Sequence, residues 1–88
     1  MNREQIESKF PLKIYITEEI IQNADVMDNR KCNGALALKS VFPENYASWG
    51  CYSGGVIDDR GDRIDINSGG VEMMGITTPR FVTFYLNK

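Results

Sequence analysis

Eighty-eight residues make one domain with one core, and a chain this short buries only about 60–65% of its unfolded surface, so its stability margin is narrow. Ten basic and twelve acidic residues give a net charge of −2. That balance argues against DNA or RNA as a partner, because phosphate contacts demand a basic excess, and it falls well short of an acidic DNA mimic.

The 42% hydrophobic and 25% charged residues are ordinary for a globular chain. No run approaches a membrane span, and residues 1–12 lack the apolar stretch of a signal peptide. A cytoplasmic location follows as an expectation, and Cys32 and Cys51 are expected as thiols in that reducing setting. The chain has no histidine, which removes the usual general acid or base near neutral pH. The expectation is therefore a binding protein and not an enzyme, with no cofactor and no metal ion.

In chain order, residues 1–10 are polar apart from Ile6 and Phe10, and read as an arm or frayed helical turn. Leu12 to Thr17 alternates with period 2, a half-buried strand with Leu12, Ile14 and Ile16 inward. Thr17 is a good N-cap, and Glu18 and Glu19 suit the positive end of a short helix through Ile20, Ile21 and Ala24. A second helix is expected from a cap at Asp28 or Asn29 to Phe42, stopped by Pro43. Ala35, Leu38, Val41 and Phe42 form its apolar face, with Cys32 and Leu36 on the shoulder. Gly34 costs about 1 kcal/mol relative to Ala inside a helix, which close packing of another backbone would explain.

The second half reads as β. Tyr46 to Ile57 is one strand or two, broken by Gly50 and by Gly54 and Gly55. Asp58 to Asp62 is a hairpin turn, Arg63 to Ile66 pairs back, and Asn67 to Gly70 is a further turn. Residues 71–76 fit either strand or loop. A last strand, Phe81 to Leu86, carries aromatics on both faces. The order predicts an α+β domain, a small, mainly antiparallel sheet with two helices on one face.

The run Ile14-x-Ile16-Thr17-x-Glu19-x-Ile21, followed by Cys32-Asn33-Gly34-Ala35-Leu36-Ala37-Leu38, resembles a class of small phage-encoded proteins. In that class an I-T-x-E-x-I run precedes a helix opening Cys-Pro-x-Ala-Leu-Ala-Leu. Asn33 stands where the class has proline. The resemblance spans about a third of the chain and carries no activity with it; it implies a viral protein of the kind that modulates host machinery or inhibits host defence.

Tyr46, Trp49 and Tyr52, beside Gly54 and Gly55, form the leading candidate site. Tyr and Trp offer rigid contact area to a protein, and they can also stack a nucleobase beside glycine N–H groups. The competing reading is that one face of this strand is core and the other is ordinary surface. Lys39 interrupts an apolar helix face; it either snorkels to water or meets an acidic partner or a phosphate.

Cys32 follows two basic residues at a helix start, which favours a reactive thiol, but a buried small hydrophobe is the simpler expectation, and more so for Cys51 in a strand. Asp58, Asp59, Asp62 and Asp65 lack calcium-loop spacing and read as a solvated hairpin. Two functions stay open: a phage-type protein that inhibits or modulates a host protein through a surface patch, or a binder that sequesters a nucleotide signal at a subunit interface. Homo-oligomerisation is expected through the second helix or the edge of the C-terminal strand.

Overall fold

The computed structural model describes residues 1–87. The elements run α1 (Arg3–Glu7), β1 (Leu12–Ile16), α2 (Glu18–Asn23), α3 (Asn33–Val41), β2 (Ala47–Trp49), β3 (Ser53–Ile57), β4 (Arg63–Asn67), a single 3₁₀ turn (Met73–Gly75) and β5 (Arg80–Leu86). The five strands form one sheet in the order β1-β5-β4-β3-β2, and every neighbouring pair is antiparallel. This is the α+β class expected, with one helix more than the sequence suggested.

That extra helix is α1. Asn2 and Gln5 close a capping box, in which the Gln5 N–H donates to Asn2 Oδ1 at 2.8 Å and the Asn2 N–H donates to Gln5 Oε1 at 3.0 Å. Two orphan amide groups are thereby satisfied, and Ile6 is driven fully into the core. The first ten residues are thus part of the folded body and not a frayed arm.

β1 forms as its alternation requires. Ile14 and Ile16 are buried while Lys13 and Tyr15 face solvent. Thr17 caps α2, its hydroxyl accepting the Ile20 N–H at 3.1 Å. The second helix starts later than expected, with Cys32 as its N-cap. The reason lies in Asp28, whose carboxylate accepts the Arg30 N–H at 2.9 Å and whose carbonyl accepts from Lys31 and Cys32. Those bonds hold residues 28–32 as nested turns, competing with helix in the way short acidic side chains do. At its other end α3 stops with Phe42 as C-cap, before Pro43.

The core lies between the sheet and the helices. Ile16, Leu38, Phe42, Trp49, Val56, Ile66 and Phe84 are among its fully buried members. Gly34 is accounted for by a side chain, not by a backbone. A methyl group there would sit 2.5 Å from Trp49 Cδ1, so the indole lies directly against the helix. Trp49 also meets Phe84 edge-on at 5.2 Å between ring centroids.

Among the described residues, no helix covers the opposite face of the sheet. Lys13, Tyr15, Phe81 and Tyr85 lie on it at one end and Arg63 and Asp65 further along. Residues 71–76, open between strand and loop, hold the 3₁₀ turn that plugs Met73 into the core. The turn before them uses Gly69 and Gly70 at φ of +61° and +87°, backbone that only glycine adopts cheaply.

The structure places both elements expected to carry oligomerisation. α3 buries Asn33, Gly34, Ala35, Ala37 and Leu38 within its own subunit, so it offers no broad apolar face. β5 stands between β1 and β4 in the strand order, pairing with β1 along residues 80–84 and with β4 at Tyr85 and Leu86. Among the described residues no helix is long and apolar enough to cross a membrane.

Candidate functional site

The segment from Tyr46 to Gly55 folds as the β2–β3 hairpin, and its aromatics part company. Trp49 points inward and is 1% exposed. It serves the core, so the contact role expected of it is withdrawn. Gly54 and Gly55, expected to admit a ligand, are instead filled from within the protein. A methyl group at Gly54 would meet the Trp49 indole, and one at Gly55 would lie 3.0 Å from the Arg63 guanidinium.

Tyr52 is exposed in the turn joining the two strands, where its hydroxyl lies 3.4 Å from Glu72 Oε2. Tyr46 sits at the far end of the same hairpin, its carbonyl accepting the Ile57 N–H at 2.9 Å. The two tyrosines therefore do not share a surface.

Tyr46 is the more exposed of the two, at 68% against 51% for Tyr52. Two cations attend its ring, Lys39 Nζ at 5.8 Å and the Arg30 guanidinium at 5.6 Å from the centroid. Both lie within the range of cation–π attraction. Lys39 comes from the last turn of α3 and is steadied by donating to the Asn45 carbonyl at 2.7 Å. Arg30 comes from the loop before α3. That loop is fastened to the sheet where the Trp49 N–H donates to the Asn29 carbonyl at 2.8 Å, which places Arg30 beside β2.

The neighbouring hollow, about 220 Å³, is lined by Asn29, Arg30, Tyr46, Ser48 and Arg63 among others. Arg63 donates to Asp65 at 2.7 Å and to Ser48 Oγ at 3.3 Å. Neither Arg30 nor Lys39 forms an ion pair among the described residues. The arrangement is an exposed aromatic ring bracketed by two positive charges outside any ion pair among the described residues, with a third nearby paired to Asp65.

Sequence reasoning found Tyr46 and Lys39 and missed Arg30, Ser48 and Arg63. Arg30 is sixteen positions from Tyr46 and is held near it through long-range links such as the Asn29–Trp49 backbone bond; no local pattern announces that. One available signal was Asp28, whose spacing to Arg30 suits an Asx turn.

The other candidates resolve into structural parts. Cys32 is buried at the cap of α3, its Sγ 3.5 Å from the Trp49 carbonyl, as a small hydrophobe would be. Cys51 is exposed in the hairpin turn, not held in a strand, with its Sγ 3.8 Å from Met74 Sδ. Both thiols are unbridged.

Asp58 departs from the solvated hairpin expected of it, since its side chain is buried. It accepts the Asp62 and Arg60 N–H groups at 2.9 Å each and faces Arg3 Nε at 3.9 Å. The Asp62 amide, helped by Arg60 and Arg3 and opposed by burial, holds its carboxyl below the ordinary value. Arg3 also donates to the Arg63 carbonyl at 3.0 Å, so Asp58 organises the turn and anchors α1 to it.

Neither a protein-family model, nor a curated protein, nor a solved structure matches this chain.

Proposed function

We propose that this chain is a phage-type binding protein that engages an acidic surface of a host protein, a defence protein being the target class its resemblance implies, and thereby inhibits or modulates it. The Tyr46 patch carries this reading. An exposed tyrosine supplies contact area at low entropic cost, while Arg30 and Lys39 supply positive charges that no ion pair among the described residues takes up. Such charges steer a complementary partner and speed its association. The same loop exposes Val26 and Met27, the latter at 91%, and an exposed methionine adapts readily to a partner's apolar surface.

The viral, host-directed part of the reading rests on the Cys32-to-Leu38 run and the strand before it. The absence of histidine from the sequence supports binding over catalysis. Sequestration of a nucleotide is the weaker reading, because the hollow beside Tyr46 falls below the roughly 300–1,000 Å³ of small-molecule pockets.

The test is affinity capture from host lysate, followed by the captured partner's affinity for single variants. Tyr46→Ala should fold normally and weaken binding by about thirtyfold or more, the scale of a lost hot spot. Arg30→Glu and Lys39→Glu should slow association and flatten its dependence on salt. Tyr52→Ala should bind as the parent does. If Tyr46→Ala and the charge reversals all bind normally, the patch is not the working surface. Capture of a nucleotide in place of a protein would move the reading to sequestration.

A further inference from the structure

The sheet has two edges, and one of them is bare. β1 has β5 as its single strand neighbour. An antiparallel strand directs alternate N–H and C=O pairs away from its neighbour. Among the described residues no backbone hydrogen bond outside the β1–β5 ladder reaches residues 12–16. A row of unmet donors and acceptors of this kind is a template for another strand.

We propose that this edge pairs with the same edge of a second copy, antiparallel, about a two-fold axis at Ile14. The side chains specify that register. Pairing within a continuous sheet must keep inward residues opposite inward ones, because a one-residue slip would exchange the faces. An axis at Ile14 sets Leu12 opposite the partner's Ile16 and Ile14 opposite its counterpart, extending the apolar face of each core. On the helix-free face it sets Lys13 opposite the partner's Tyr15, twice by symmetry.

Lys13 is already committed to aromatic company. Its Nζ lies 4.6 Å from the Phe81 ring centroid, and Phe81 packs on Tyr15 at 4.8 Å. Tyr15 is 47% exposed, and a second copy paired along β1 would cover the side of its ring that Phe81 leaves bare. Moving the axis to Lys13 would place like charges opposite each other, which is destabilising. Moving it to Tyr15 would drop Leu12 from the pairing. Ile14 is the centre that keeps all five residues of β1 paired without opposing charges.

The dimer would be a ten-stranded sheet with its helix-free faces on one side. The two Tyr46 patches would then lie at its far ends, available to engage two sites at once and gain avidity.

Light scattering should give twice the chain mass of 10.0 kDa at high micromolar concentration. Tyr15→Lys opposes lysine to lysine twice and should halve that mass, with circular dichroism unchanged because the side chain faces solvent. Tyr15→Glu opposes unlike charges and should keep the dimer. In a Cys51→Ser background, Lys13→Cys and Tyr15→Cys proteins mixed together should cross-link under mild oxidation, and neither should do so alone. A monomeric parent overturns the proposal, as does a dimer untouched by Tyr15→Lys. Cross-linking of either cysteine variant with itself would place the axis elsewhere and overturn the register.

Discussion

The two edges of this sheet are finished in opposite ways. At β2 the chain folds a loop over the edge. Asp25 and Asp28 cap nested turns, and the Asn29 carbonyl takes the Trp49 N–H, so the last strand is covered by its own subunit. At β1 nothing in the described chain does the same. A covered edge cannot recruit a strand, and what it presents outward is side chains, here Tyr46 with Arg30 and Lys39. A bare edge presents backbone, and backbone recognises strands. On the two proposals made above, partner recognition belongs to the β2 end and self-association to the β1 end.

The largest expected effect tests whether the β2 edge is built from its core outward. Trp49→Ala removes the indole that fills the space between Gly34, Gly54 and Phe84. Truncating a buried Trp typically costs about 3–5 kcal/mol, a large part of a small domain's total stability. Urea denaturation should show it, and partner binding should fall only as far as the folded fraction does. Gly34→Ala approaches the same contact from the helix and should cost about 1–3 kcal/mol by overpacking, even though alanine is the better helix former. A stabilised Gly34→Ala protein would mean that Trp49 has room to move.

Asp28→Ala tests the cover itself. It frees the Arg30 amide and loosens the turns that aim Arg30 at Tyr46, at a cost of about 1 kcal/mol for the lost hydrogen bond. Hydrogen exchange should quicken at the Trp49 amide and stay unchanged in β1. Equal quickening at both edges would show that the loop is not a local clasp.

These tests also mark where the sequence was legible. β1, its inward Ile14 and Ile16, the Thr17 cap and the buried Ala35 and Leu38 of α3 were readable because each is fixed by periodicity or a cap within a few residues. The Asn2–Gln5 capping box is equally local, yet whether α1 belongs to the body depends on Ile6 reaching the core, a long-range event. The fate of Trp49 was undecidable from alternation alone, since either face of a three-residue strand could be inward until β3 and α3 supplied two glycines against it. The candidate site was half legible. Tyr46 and Lys39 stand out by residue type, whereas Arg30 joins them through a loop bond that no spacing rule predicts.

Acid should act through the third corner of the molecule, where α1 meets the β3–β4 turn. The carboxyl of Asp58 is held below its ordinary value, first by the Asp62 amide. A lowered folded-state pKa contributes stability above the unfolded carboxylate pKa of about 3.9, and that contribution is lost as pH falls through the lowered value. Between neutral pH and about pH 5 this group should therefore leave stability flat. Further acidification should release α1 before the sheet, seen as early exchange at the Ile6 amide. Asp58→Asn should flatten this acid limb, and an unchanged limb would mean that other carboxylates govern it.

The smallest expected effect is no effect, and it concerns the independence of the two edges. β5, β4 and β3 stand between β1 and β2, and neighbouring strands are about 4.8 Å apart, so Tyr15 and Tyr46 lie well beyond direct contact. Substitutions more than about 7–10 Å apart with no shared partner add to within about 0.5 kcal/mol. Tyr15→Ala loses its packing on Phe81 and Tyr46→Ala its two cations, and no residue is common to both sets. The double variant, unfolded in urea at a concentration low enough to keep the chain monomeric, should show the sum of the two single changes. A coupling above about 1 kcal/mol would mean that the sheet transmits strain from one edge to the other. Pairing at β1 would then alter the Tyr46 patch, and division of labour between the edges would give way to linkage between them.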